Sequence, residues 1–180
     1  MVGVEAQEIS FRLLRENVWA NQCDDRVTLM HGDLRHTDVG TGFDLVSGSP
    51  PYFDVKKGVV SKDSQKAHAR FELRGDVRDY CLAAKRALAA DGRFIFCFPT
   101  PQKKRAIDAV AAAGLHLCSV RDVVPRINIA PLFTLFACTH APQDTHHEPA
   151  LNVRGEDGRR TEEMNAIRVD LGMPLKDRGD

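Results

Sequence analysis

The order of apolar runs and helical repeats predicts an α/β domain whose mostly parallel sheet ends in an antiparallel hairpin. Short apolar runs alternate with segments of helical periodicity in the order βαββαβαββ. Phe94 to Phe98 is continuously apolar, with glycine upstream and proline downstream, as in a central strand covered on both faces. The last two strands, His116 to Val124 and Leu132 to Cys138, are joined only by a short turn around Ile127 to Pro131, so they should be antiparallel neighbours.

Each element has a local reason. Met1 to Val4 is an apolar run closed by Glu5, and Phe11, Leu14 and Val18 then recur at helical spacing. Arg26 to Met30 alternates polar and apolar residues. Phe43 to Val46 is an apolar strand that stops at Ser47-Gly48-Ser49-Pro50-Pro51, where proline ends any ladder. Asp54 to His68 is polar, lysine-rich and aperiodic, which predicts a mobile loop. Leu73, Val77, Cys81, Ala84 and Leu88 trace one face of a long helix expected to close at Asp91-Gly92. Gln102 to Ala113 is alanine-rich and helical, ended by Gly114. Ala141 to Glu148 reads as a polar linker and Leu151 to Arg154 as a small strand. Thr161 caps a last helix with Met164, Ile167 and Leu171 facing inward.

Composition narrows the function classes. A chain of 180 residues, 43% of them hydrophobic, suits one compact domain. Lys+Arg and Asp+Glu are equal at 25 each, so nucleic acid would have to be met by a local patch. The five cysteines contain no C-x-x-C pair, and three sit in strongly apolar runs, which suits a reducing cytoplasm. No basic leader and no apolar run of spanning length is present, so a cytoplasmic protein away from the membrane is expected.

The richest segment is Phe43-Asp-Leu-Val-Ser-Gly-Ser49-Pro50-Pro51-Tyr52-Phe53. A strand ending in a polar residue, two prolines and an aromatic gives a rigid loop at the carboxyl edge of the sheet. The Ser49 hydroxyl and the Pro50 carbonyl can each accept a hydrogen from an amino group, localising its lone pair for attack on a methyl sulfonium. Tyr52 can stack on the planar group that carries the amine. The alternative is a structural Pro-Pro turn. Glu5 closes the first strand, where a carboxylate suits the two hydroxyls of a ribose, although a helix-start glutamate would look the same. Gly32-Asp33 follows the second strand, where an acceptor could meet an adenine amino group, but Gly-Asp is also an ordinary turn.

Met1-Val-Gly-Val-Glu5-Ala6, His31-Gly-Asp33-Leu34-Arg35, Phe43-Asp-Leu-Val, Ser49-Pro-Pro-Tyr52-Phe and Asp91-Gly-Arg-Phe-Ile-Phe-Cys-Phe-Pro99 occur in the order of class I amino methyltransferases. Together they resemble the bacterial enzymes that methylate the amine of adenine 37 in a valine transfer RNA. Ala69 to Gly75, Arg121 to Arg126 and the tail from Thr161 to Pro174 extend the resemblance along nearly the whole chain. It implies a Rossmann-like fold and S-adenosyl-L-methionine as cofactor. Glu5 and Ala6 would hold the cofactor ribose, Asp33 and Leu34 its adenine, and Ser49, Pro50, Pro51 and Tyr52 the target base, with Ser49 also beside the cofactor. The family usually carries Asn or Asp where Ser49 stands. It also begins with a strand and a D-x-G-x-G loop around the methionine end of the cofactor. Asp38-Val-Gly40-Thr-Gly42 has that spelling, but a strand follows it where the cofactor loop would open into a helix, so it is rejected. The resemblance therefore implies a methyltransferase domain over residues 1–140 that is truncated at its N-terminus and lacks the middle strand, with 141–180 packed on the same domain.

Lys56, Lys57, Arg70 and Arg74 follow the Pro-Pro-Tyr loop and could hold RNA phosphates, or simply form a solvated basic loop. His140, His146, His147 and Glu148 lack the spacing of a metal site, and no metal is expected. Three readings follow: an RNA adenine methyltransferase with transfer RNA as partner, a protein glutamine N-methyltransferase, or a non-enzyme, either an inactive fragment or a degenerate domain that binds RNA or another partner without turnover.

Overall fold

The structure, a computed structural model, describes residues 1–53 and 71–175. The expected order is present. β1 (Val2–Glu5) leads to α1 (Glu8–Ala20), β2 (Thr28–His31), β3 (Phe43–Gly48), α2 (Val77–Ala87) and β4 (Leu88–Pro99). A 3₁₀ turn (Thr100–Gln102), α3 (Lys103–Ala112), β5 (His116–Val124) and β6 (Phe133–Thr139) follow. β7 (His146–His147), β8 (Leu151–Asn152) and α4 (Glu162–Asp170) complete the described chain. The expected loop from Asp54 to His68 lies outside the described residues.

β3 pairs with β4 in parallel, while β6 lies antiparallel between β4 and β5 and forms the expected hairpin. β7 and β8 add short parallel pairings along β5. The sheet order is β3-β4-β6-β5-β7. β1 and β2 form a separate parallel sheet of two strands, and among the described residues no pairing joins β1 to β3. Between them lies a cleft of about 1050 Å³, with Val2 and Val4 on one wall and Phe43 to Ser47 on the other.

One face of β4 makes the core. Phe94, Phe96 and Phe98 are buried under α2 and α3, which contribute Val77, Cys81, Ala84, Ala106, Ala109 and Val110. Phe96 stands opposite Phe136 in the β4–β6 register, with their rings stacked at 4.8 Å between centroids. Directly opposed aromatic pairs of this kind are among the stronger cross-strand contacts. Asp76 starts α2 with a capping box, accepting from the Arg78 and Asp79 backbone while Asp79 accepts in return.

Four expectations are corrected. The helix begins at Val77 rather than Leu73 and ends at Ala87, so Asp91-Gly92 lies inside β4 and is not a helix cap. Leu88 already pairs with Phe43, and the register then jumps so that Leu45 faces Arg93. A side chain at Gly92 would come within 2.5 Å of the Phe43 carbonyl, which makes this glycine a close-approach residue. β4 is covered on one face only, and Ile95 on the other remains 39% exposed. Leu45 of β3 is 60% exposed for the same reason: α2 and α3, the helices packed on β3 and β4, lie on one side. Leu171 does not face inward but caps α4 and is exposed. The polar stretch after Ala141 also supplies β7, because β5 has an edge free to pair.

Candidate active site

β1 and β2 deliver two carboxylates to one edge. Glu5 is in register with His31, and Asp33 follows two residues later. The Glu5 carboxylate accepts the Gln7 N–H at 2.7 Å, which fixes it in the turn before α1 and leaves further acceptor positions. Asp33 accepts from the Arg35 backbone at 3.0 Å and from its guanidinium Nη2 at 2.6 Å. These Arg35 hydrogen bonds hold its carboxyl well below the usual range, at about 2. Arg35 was not anticipated as a partner. The Ala6 carbonyl accepts from Arg74 at 2.9 Å, and the Leu34 carbonyl accepts from Arg86 at 3.0 Å. Arg74, expected near RNA, is thus tied to the turn after β1. Lys56, Lys57 and Arg70 lie outside the described residues.

Tyr80 of α2 lies between the influence of these carboxylates and the strand that leads into the Pro-Pro-Tyr loop. Burial, then the negative charges of Glu5 and Asp33, push its phenol above the ordinary value. A side chain at Gly48 would meet the Tyr80 ring at 2.9 Å, so the ring lies against the last residue of β3. The end of β3 thus lies against the Tyr80 ring, and the Glu5 and Asp33 carboxylates lie within electrostatic reach of its phenol. Sequence reasoning missed this residue because a tyrosine on an amphipathic helix looks like ordinary packing. Asp38 to Gly42 line the cleft but enter β3 at its amino end, away from the end that meets Tyr80. No helix follows them, in agreement with their rejection as a cofactor loop.

Beyond Gly48, the loop divides its residues by environment. Pro50 and Pro51 are buried, Ser49 is exposed and Tyr52 is half-buried. The prolines anchor the turn while Ser49 stays accessible. Its hydroxyl lies 3.5 Å from the Cys97 thiol on β4, and either atom can be the donor. The Tyr52 ring meets Phe98 and Phe133 edge-on, at 6.4 and 5.9 Å between centroids, and Phe53 at 4.7 Å. Such edge contacts fix the plane of a ring without covering both of its faces. Among the described residues no group of histidine, cysteine and carboxylate side chains is placed to hold a metal. His147 lies on β7, and Glu148 accepts from Ser119 at 2.5 Å.

No family model matches the chain. A tRNA1(Val) (adenine(37)-N6)-methyltransferase of Aeromonas hydrophila is 31% identical over 124 residues, which cover 69% of this chain and 51% of the relative. The chain spans about half the length of the curated relatives it matches. Among solved structures, a predicted O-methyltransferase from Agrobacterium tumefaciens superposes with a TM-score of 0.68 at 13% identity, covering 99% of this chain and 80% of its own. A geranyl diphosphate C-methyltransferase from Streptomyces coelicolor, solved with Mg2+, geranyl diphosphate and S-adenosyl-L-homocysteine, gives 0.52 at 11% identity. It covers 78% of this chain and 63% of that one. The chain therefore has the Rossmann-like class I methyltransferase fold and is a homologue of proteins named tRNA1(Val) (adenine(37)-N6)-methyltransferases.

Proposed function

We propose that this chain is the catalytic part of an S-adenosylmethionine-dependent enzyme that methylates the exocyclic amine of an adenine in RNA, with transfer RNA as the substrate class. The observation that carries the reading is the Ser49 to Tyr52 loop, where buried prolines hold an exposed hydroxyl beside a ring fixed edge-on. The names of the relatives favour an RNA adenine over a protein glutamine. No described helix is long and apolar enough to cross a membrane, and the reading assigns the protein to the cytoplasm, where transfer RNA is found.

The residues fit such a cofactor in part. Glu5 offers a carboxylate to the ribose diol and Asp33 one to the adenine amine, both at the edge where α/β sheets bind nucleotides. When bound, the cofactor supplies an electrophilic methyl group. Ser49 Oγ and the Pro50 carbonyl accept the two N–H bonds of the target amine, which directs its lone pair outward. Tyr52 carries the base, and Lys56, Lys57 and Arg70 contact the phosphates that flank it. The methionine end of the cofactor needs backbone donors that Glu5 and Asp33 do not supply. We assign these to a segment seated between β1 and β3, whose facing edges have no partner among the described residues.

A chimera in which the N-terminal segment of the Aeromonas hydrophila relative precedes Met1 tests the reading. Unmodified transfer RNA and labelled cofactor should yield N6-methyladenosine. Tyr52→Ala in that chimera should lose about a hundredfold in rate while cofactor affinity stays within about twofold, because the ring orients the base alone. Equal loss of both would make the loop structural, and methyl transfer to protein alone would replace RNA as substrate.

A further inference from the structure

The Pro-Pro-Tyr loop is held from behind by a closed ring of contacts that no feature of the loop itself predicts. Gln102, at the end of the 3₁₀ turn, donates from Nε2 to the Tyr52 carbonyl at 3.0 Å. The next carbonyl, that of Phe53, accepts the Glu72 N–H at 3.1 Å, and Phe53 and Phe71 form a parallel bridge. Both anchors lead to one guanidinium. Arg105 donates to Gln102 Oε1 at 3.2 Å and lies 2.5 Å from Glu72 Oε1. It also reaches Asp76, the cap of α2, at 3.4 Å, and its charge sits 5.8 Å above the Phe98 ring, which in turn meets Tyr52 edge-on.

A planar fork can donate to Gln102 and Asp76 at once while its charge lies against the Glu72 carboxylate, whereas an ammonium is a point charge without fixed geometry. Gln102 must likewise be an amide here, because one end accepts from Arg105 while the other donates to Tyr52. Two consecutive backbone carbonyls of the loop, the start of α2 and one wall of the tyrosine pocket are therefore referred to a single side chain. From this we infer that Arg105, acting through Gln102 and Glu72, is a positioning residue that sets the plane of Tyr52 for the target base. The inference rests on the reading of Tyr52 as the stacking platform.

The chain contains only 2 tyrosines, Tyr52 and Tyr80, so uniform 3-fluorotyrosine labelling gives two fluorine resonances. Tyr52→Phe assigns them. Gln102→Glu keeps the acceptor for Arg105 and removes the donor to Tyr52, while Arg105→Lys keeps the charge and removes the fork. Both variants should move the Tyr52 resonance toward that of free fluorotyrosine and leave Tyr80 in place, which also reports an intact fold. Addition of unmodified transfer RNA should shift Tyr52 in the original chain, with about tenfold weaker response in the variants, as expected when a stacking contact is misaligned. An unmoved Tyr52 resonance, or equal movement of Tyr80, would overturn the inference. If the variants move Tyr52 but RNA leaves it unchanged in the original chain, the brace is architectural and the stacking reading fails on its own.

Discussion

Gly48→Ala should strain the junction between β3 and the loop by a calculable amount. The added methyl would sit 2.9 Å from Tyr80 Cδ1 and 3.3 Å from Cε1, with Phe94 at 4.0 Å behind. Real methyl contacts are close to 3.5–4.0 Å, so a separation of about half an ångström or more must come from somewhere. An aromatic ring cannot bend, and this one is packed against the core that contains Phe94. The ring must therefore rotate off its minimum or β3 must shift, and overpacking of this kind costs about 1–3 kcal/mol. For a domain of this size each kcal/mol lowers Tm by about 2–4 °C. Urea denaturation of Gly48→Ala, Tyr80→Ala and the double variant measures it. Removing the ring makes room for the methyl, so the double variant should lose less than the sum of the two by more than about 0.5 kcal/mol. Strict additivity would show that Tyr80 does not limit the space at Gly48, and the contact drawn between that ring and the end of β3 would be wrong.

Other outcomes are open to simple measurement. Burial pushes the Cys81 thiol to about 12 and moves Cys138 upward as well, so neutral-pH alkylation should spare both until denaturant is added, as mass mapping would reveal. Cys23, Cys97 and Cys118 are only partly buried and should react first. Asp33 is depressed by Arg35 to about 2, so its contribution to stability is present above the unfolded value of about 3.9 and is lost as pH falls through 2. Because both partners are partly exposed, acid titration of Asp33→Asn against the original chain should differ little above pH 5 and converge only in strong acid. The 180-residue chain alone should bind S-adenosylmethionine poorly and show no turnover. Each charge-assisted hydrogen bond to the methionine end that the described residues do not supply should cost roughly 1.5–3 kcal/mol. Micromolar affinity by calorimetry, with methyl transfer, would mean that another segment supplies those donors.

The element order was legible because hydrophobic period and turn residues are local properties. Asp91-Gly92 misled for a tertiary reason. Ala87 to Ala90 are helix formers by propensity, yet Leu88 is extended because it pairs with Phe43 and buries its side chain. The true start of α2 could have been read from Asp76 and Asp79, a capping spacing in plain view. The one-sided cover of β3 and β4 could not, since an apolar run shows that burial is tolerated and says nothing of what is available to cover it. At the site, the Pro-Pro-Tyr spelling and the strand-end carboxylates stood out because their chemistry is carried by residue type. Tyr80, Gln102 and Arg105 act through contacts separated by dozens of residues, and only the folded chain brings them together.

The separation of the two sheets has a mechanical consequence. Glu5 and Asp33 belong to one body and Ser49 and Tyr52 to the other, so among the described residues no backbone ladder sets the distance between the two strand-end carboxylates and the Pro-Pro-Tyr loop. That distance is held by side-chain ties, Arg74 to Ala6 and Arg86 to Leu34. A ligand reaching from one body to the other would act as a crossbar between two plates on a soft hinge. Its occupancy should be felt most strongly in β1 and β2, where slower amide exchange would register the stiffening while the phenylalanine core beneath β4 stays as it was.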